Sequence, residues 1–170
     1  MRSSEFWLIY ILLLLAQLLL GNYFTLTPYL MLSILPVMVL CIPIRVGSVG
    51  AMIIAFATGL VVDLLSEGVL GLNALALVPV AWLRNPVISL VFGNELFARN
   101  EDFSATKSGI GKVALALFIV QAVFTLIYVW ADGASVRPFW FNATRFGLSL
   151  TAGFILSLMA VPALAPDTRR

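Results

Sequence analysis

The sequence predicts an all-α integral membrane protein, a six-transmembrane-helix bundle that the 170-residue chain (1–170) forms as a single membrane domain. Its mean hydropathy is +1.07, and 62% of its residues are hydrophobic while only 11% are charged. A soluble domain contains roughly 25% charged residues. The charges also lie between long apolar stretches, each close to the roughly 20 residues that cross a bilayer as a helix. So short a chain does not bury that much apolar surface in water.

The first two predicted spans cover residues 6–23 and 29–44. The first has no Ala-x-Ala-like cleavage site and ends in aromatic and polar residues typical of a membrane interface, so we expect a retained helix and not a cleaved signal peptide. The second has Pro28 and Pro43 at its ends. Pro36 falls in its middle, where a kink is expected because proline removes a helical hydrogen bond.

The third and fourth spans are predicted over residues 49–66 and 70–92. Glycines between them supply the turn. The polar step Arg84-Asn85-Pro86 interrupts the fourth span, and an apolar piece follows it. The pattern leaves open whether residues 86–92 form the kinked end of the fourth span or a short interfacial helix.

The last two spans are predicted over residues 112–131 and 142–164, after a polar cytoplasmic loop at 93–111. A loop containing the aromatic cluster Phe139-Trp140-Phe141 joins them. Tryptophans near the span ends are typical of interfacial anchors.

Six spans place both chain termini on one side, and positive charge indicates which side is cytoplasmic. With cytoplasmic termini, the outside receives only Arg137, with Arg145 just within the last helix. The inside receives many more basic residues, with Arg84 close to that face: Arg2, Arg45, Arg99, Lys107, Lys112, Arg169 and Arg170. The sequence therefore predicts that the N- and C-termini are both cytoplasmic.

The residue types needed for most catalytic and metal sites are missing from the sequence. It contains no histidine and one cysteine, Cys41, which excludes or strongly disfavours zinc sites, histidine-assisted nucleophiles and haem ligand pairs. It has no glycine-rich phosphate loop and no basic face with interleaved aromatics for nucleic acid. We therefore expect a protein that is not an enzyme, with no catalytic, cofactor-binding or metal-binding residues.

Two helices instead carry small residues at every fourth position, a pattern that lets helices approach closely. The third span has Ala51, Ala55 and Gly59, continued by Asp63, and the sixth has Arg145, Ser149, Gly153 and Ser157. We expect both faces to lie inside the bundle. Because an unpaired carboxylate in the membrane is unfavourable, one hypothesis pairs Asp63 with Arg145. The alternative is that Asp63 caps the loop at the interface, within reach of water.

Two segments flanking the turn between the third and fourth spans resemble the signature region of the rod shape-determining protein MreD family. They are Gly59-Leu60-Val61-Val62-Asp63-Leu64-Leu65-Ser66 and Gly71-Leu72-Asn73-Ala74-Leu75-Ala76. The continuation through residues 81–87 resembles members from the Bacteroidetes branch, although here Asn85 separates the Arg-Pro pair. Asn73 stands where relatives often have histidine. The resemblance makes Gly71 and Asn73 further candidate residues.

The resemblance implies a bacterial inner-membrane protein of the cell-elongation (peptidoglycan synthesis) machinery, acting as a scaffold. It implies binding to an MreC-like bitopic protein and, through it, to MreB, RodA and a class B penicillin-binding transpeptidase. The implied fold is similar to that of the substrate-binding subunits of energy-coupling-factor vitamin transporters.

Two other functions are compatible with a helical bundle. A vitamin-binding subunit of an energy-coupling-factor transporter would need a polar pocket near the outer face, for which the available residues are Asn73, Gln121, Asn142, Thr144 and Arg145. An ion or proton carrier would need carboxylates at mid-depth. Gln121 is the only strongly polar group expected there, which disfavours a carrier.

Overall fold

The computed structural model describes residues 3–23, 29–67, 69–93, 109–133 and 137–164. Most of the predicted cytoplasmic loop at 93–111 lies outside the described residues, since 94–108 are not included. The basic residues at 2, 99, 107, 169 and 170 lie outside them as well.

Helices make up most of the described residues, and none of the described residues forms a strand. The helices are α1 (Ser3–Tyr23), α2 (Leu35–Leu40), α3 (Gly47–Val62), α4 (Leu72–Phe92), α5 (Ile110–Gly133) and α6 (Phe139–Leu164). A short 3₁₀ turn at Ile44–Val46 precedes α3, and a π-helical turn at Asp63–Glu67 extends it. Five of these helices are long and apolar enough to cross a membrane, which is consistent with a multi-pass membrane protein.

Helix α4 is continuous, although Pro79 and Pro86 both lie inside it. Residues 86–92 therefore belong to the fourth span and do not form a separate interfacial helix. The aromatic cluster predicted to lie in a loop, Phe139-Trp140-Phe141, instead forms the first turn of α6.

The second predicted span, residues 29–44, is not a spanning helix. Its only α-helix is the six-residue α2, and residues 30–34 are irregular. Pro36 occupies the first turn of α2, where its missing N–H is not needed, so it begins a helix and does not kink one. Pro43 follows the end of α2 and prevents its continuation. The sequence-based count of six spanning helices is thus corrected to five among the described residues.

The same segment nevertheless runs from one end of the bundle to the other. Helices α1 and α3 are parallel, because Tyr10 bonds to Thr58 (2.9 Å) and Asn22 Nδ2 donates to the Leu65 carbonyl (3.2 Å). The chain between these two helices must therefore return along the bundle. Residues 29–46, which we call the crossing segment, are long enough: their extended and helical parts together cover about 30 Å.

Contacts along the crossing segment follow this direction. The Tyr29 ring lies 4.5 Å from the Phe141 ring at the start of α6, and the Met31 N–H donates to Ser149 Oγ about two turns further along α6 (2.9 Å). The Ile42 carbonyl is bound by Arg84 in the second half of α4. The beginning of α1 and the end of α6 consequently lie at the same end of the bundle.

The two ends of the bundle carry different residues. We call the end that holds Tyr23 and Asp63 the Asp63 end, and the opposite end, where α3 begins and α4 finishes, the Arg45 end. Helices α3 and α4 form an antiparallel hairpin whose turn is at the Asp63 end, and α5 and α6 form a second one.

Both predicted small-residue faces lie inside the bundle. Ala51, Ala55 and Gly59 are buried on α3, and their counterparts on α6 are buried too: Ser149, Gly153 and Ser157. A methyl group on Gly59 would lie 2.5 Å from the backbone nitrogen of Ala74 and 2.9 Å from the Asn73 carbonyl carbon. Glycine at this position therefore sets how closely α4 packs on α3.

We expect Gly59→Ala to destabilise the bundle by at least about 2 kcal/mol, because the added methyl group meets backbone that cannot move without separating the helices. Gly147→Ala is the matched control, since Gly147 is an exposed helical glycine with open space around its Cβ position. Thermal unfolding in detergent compares the two variants. Equal melting temperatures would contradict close packing at Gly59.

Candidate functional site

The carboxylate of Asp63 is fully buried and caps the start of α4. Its Oδ2 accepts the N–H of Gly71 (2.9 Å) and of Ala74 (3.3 Å), and its Oδ1 accepts the backbone N–H and the side-chain Nδ2 of Asn73 (both 2.9 Å). The first N–H groups of a helix have no partners within the helix and lie at its positive end. Asp63 therefore satisfies them with a full negative charge, which explains a buried carboxylate without a cation.

The family-like signature thus corresponds to one structural unit, the α3–α4 hairpin. Gly59 allows the close approach of α4, and Asp63 caps it. Gly71 precedes α4 with φ +94°, a left-handed conformation that favours glycine. The side chain of Asn73 is buried, and its Oδ1 has no hydrogen-bond partner among the described residues. Because these residues hold one another, the geometry gives each of them a structural role.

The hypothesised Asp63–Arg145 pair does not form. Arg145 Nη1 instead binds Asp132 Oδ2 at the end of α5, and Arg137 Nη1 lies 3.1 Å from the same oxygen. The alternative is right in that Asp63 caps the turn, but wrong in placing it within reach of water, since Asp63 is fully buried. The sequence hypothesis failed because it looked for a cation, whereas the partners are backbone N–H groups eight to eleven residues downstream.

Polar side chains from four helices bind the backbone of the crossing segment: Gln17 on α1, Arg84 on α4, Gln121 on α5 and Ser149 on α6. On α1, Gln17 Nε2 donates to the Leu32 carbonyl (3.1 Å), and Gln17 Oε1 accepts the Ile34 N–H (2.8 Å). Backbone groups inside a membrane domain must find partners within the protein, because lipid provides none. Gln17 therefore replaces, for two residues, the hydrogen bonds that a helix would have made.

Gln121 on α5 performs the same task deeper in the bundle. Its Nε2 lies 3.5 Å from the Ser33 carbonyl, and Ser157 Oγ on α6 donates to its Oε1 (3.2 Å). A Cβ on Gly153 would collide with the Gln121 amide. The small-residue face of α6 thus makes room for a glutamine side chain in addition to packing helices.

Arg84, which the sequence analysis counted only as a charge near the cytoplasmic side, is buried in α4. Its Nε donates to the Leu40 carbonyl (3.1 Å), and its Nη2 donates to the Ile42 carbonyl. These carbonyls lie at the end of α2, where no helical N–H reaches them and the helix dipole is negative. Arg84 therefore fixes the end of α2 to α4.

Sequence reasoning missed three residues that the structure makes central: Gln17, Arg84 and Asp132. For Gln17 and Arg84 a signal was available, since a polar or charged residue inside a spanning stretch must have a partner in the protein. No pattern in the sequence identified that partner, because it is the backbone of the crossing segment. Asp132 directly follows the predicted fifth span at 112–131, and no pattern in the sequence distinguished it.

No family model matches the chain, and neither a curated protein nor a solved structure matches it. Any functional assignment therefore depends on the residues and geometry described above. Within the described residues, no group of three or more His, Cys, Asp or Glu side chains is placed to hold a metal ion.

Proposed function

We propose that the protein is a non-enzymatic membrane scaffold that binds other membrane proteins through its outer helix surfaces. The observation that carries the proposal is the use of the buried polar side chains: Asp63, Gln17 and Arg84 all bind the protein's own backbone. The surface contrasts with this interior, since large apolar side chains are exposed along all five long helices. Such a molecule presents stable helix faces to partners in the membrane.

The setting we propose is the cell-elongation machinery, in the bacterial inner membrane. Support comes from the resemblance of residues 59–66 and 71–76 to the MreD signature, whose glycine and aspartate form the α3–α4 hairpin here. In this proposal the direct partner is an MreC-like bitopic protein. MreB, RodA and a class B penicillin-binding transpeptidase would be reached through it.

We propose six crossings of the membrane, five by helices and one by the crossing segment, in an arrangement like that of energy-coupling-factor substrate-binding subunits. The start of α1 and the end of α6 lie at the Arg45 end, together with the exposed cations Arg45 and Lys112. This arrangement supports cytoplasmic termini. The positive-inside rule then makes the Asp63 end the outer one.

The vitamin-binding alternative requires several polar side chains that converge on an unfilled site. Four of the five candidates instead have partners of their own; the exception is Asn142, whose buried Oδ1 has no hydrogen-bond partner among the described residues. Asn73 binds Asp63, Gln121 binds Ser157, and Thr144 Oγ1 donates to carbonyls of its own helix. Arg145 binds Asp132. These pairings favour the scaffold, because a ligand would have to displace hydrogen bonds on which the fold depends.

Affinity purification of the tagged protein from its native membranes in mild detergent tests the proposal. We expect an MreC-like bitopic protein to be recovered in near-stoichiometric amount. Recovery of a pair of ATPases and a coupling subunit would instead establish the transporter alternative.

Photo-crosslinking then identifies the partner-binding face. Exposed positions on four different helices serve as crosslinker sites: Leu12, Ile53, Leu90 and Ile155. A scaffold with one docking face should crosslink to its partner strongly from one or two neighbouring helices and weakly from the others. Uniform crosslinking to many unrelated proteins would contradict a specific docking face.

A further inference from the structure

The turn between α5 and α6, at the Asp63 end, places two arginines on one carboxylate oxygen. Arg137 Nη1 lies 3.1 Å from Asp132 Oδ2, and Arg145 Nη1 binds the same atom. Two positive charges and one negative charge leave this group with a net charge of +1. Each guanidinium has five N–H donors, so a single oxygen uses only a small share of them.

Aromatic rings hold both guanidinium groups in place. The Arg137 guanidinium carbon lies 5.0 Å from the centre of the Phe141 ring, and that of Arg145 lies 5.9 Å from the Tyr128 ring. The side chain of Arg145 is only 11% exposed, and its buried Nε has no hydrogen-bond partner within the described part of the chain. A partly buried excess positive charge is unfavourable in a membrane domain, so the group favours an anion.

The surroundings place that anion at the depth of lipid headgroups. Trp130, Phe139 and Trp140 form a chain of ring contacts at the same turn, with centres 6.1 and 6.0 Å apart, and Phe139 and Trp140 are exposed by 64% and 78%. Exposed tryptophans concentrate at the headgroup level of a bilayer. The positive end of the α6 dipole lies at the same place, since α6 begins at Phe139.

We propose that Arg137 and Arg145 bind the phosphate of an anionic phospholipid, with Asp132 orienting both side chains. The glycerol and acyl parts of the lipid would lie against the exposed rings of Phe139 and Trp140. An anionic lipid neutralises the net charge of +1, whereas a zwitterionic lipid brings its own ammonium group and leaves the charge in place. This site is independent of the scaffold function proposed above.

Lipid titration of the detergent-purified protein, followed by native mass spectrometry, tests the site. We expect tighter binding of phosphatidylglycerol than of phosphatidylcholine. Arg137→Gln should weaken phosphatidylglycerol binding about fivefold, the effect of removing one cation near a charged lipid, while Arg137→Lys keeps the charge and most of the affinity. Arg45→Gln, which removes an exposed cation at the opposite end, is the matched control and should change nothing at this site.

Asp132→Asn gives a test in the opposite direction. It raises the net charge to +2, so phosphatidylglycerol should bind about fivefold more tightly, a gain that damage to the fold would not produce. The proposal is overturned if both lipids bind equally, if Arg137→Gln and Asp132→Asn leave phosphatidylglycerol affinity unchanged, or if inorganic phosphate alone competes as well as the lipid does.

Discussion

Replacing Asp63 by alanine should destabilise the bundle by about 4 kcal/mol, because the change leaves four buried or partly buried donors without an acceptor. Three of them are the backbone N–H groups of Gly71, Asn73 and Ala74, and the fourth is the Asn73 amide. The start of α4 would also lose the negative charge that its dipole favours. Thermal unfolding in detergent, together with hydrogen exchange of the backbone at 71–74, measures both consequences.

Two further variants distinguish capping from general damage. Asp63→Asn keeps one acceptor oxygen and should lose about half as much stability as the alanine variant. Leu64→Ala changes the next residue, whose side chain is 63% exposed, and should leave both stability and exchange near wild type. If Asp63→Ala exchanges at 71–74 as slowly as the wild type does, Asp63 is not the cap of α4.

Replacing Arg84 by methionine should release the end of α2 at a loss of about 3 kcal/mol, since the Leu40 and Ile42 carbonyls would then be buried without donors. The chain's single cysteine reports on this directly, because Cys41 lies between those two residues and is buried. A membrane-permeant maleimide should label Cys41 about 100-fold faster in the variant, as the change in opening free energy implies.

Arg84→Lys should give intermediate labelling, because an ammonium group does not reproduce the fork of a guanidinium that reaches two carbonyls. Arg45→Gln removes an exposed cation from the same end of the bundle and should label like the wild type. Equal labelling rates for Arg84→Met and Arg45→Gln would show that Arg84 does not hold the crossing segment.

Five of the six predicted spans match long helices because their signal, an apolar stretch of spanning length between polar or glycine-containing breaks, has one dominant structural solution in lipid. The second stretch had the same composition but a different structure. An apolar run does not by itself distinguish a helix from irregular backbone buried among other helices. The irregular backbone is stabilised here by the side chains of Gln17 and Gln121, and both belong to other spans.

The candidate site residues divide in the same way. The buried faces of α3 and α6 followed from four-residue spacing alone, because that period identifies one side of a helix. The groups that Asp63 and Arg145 bind could not be predicted from this spacing. Asp63 binds backbone N–H groups, which every residue except proline possesses and no sequence pattern marks. Arg145 binds Asp132, a contact set by how α5 and α6 come together.

The crossing segment also has consequences for biosynthesis. A ribosome releases residues 29–46 after Gln17 but before the other side chains that hold them, since Arg84 is 42 residues beyond Ile42 and Ser149 is 118 residues beyond Met31. Until those residues are inserted, several backbone groups of the segment lack the partners that lipid does not provide. The fold of this segment is therefore complete only when α6 has been inserted beside it.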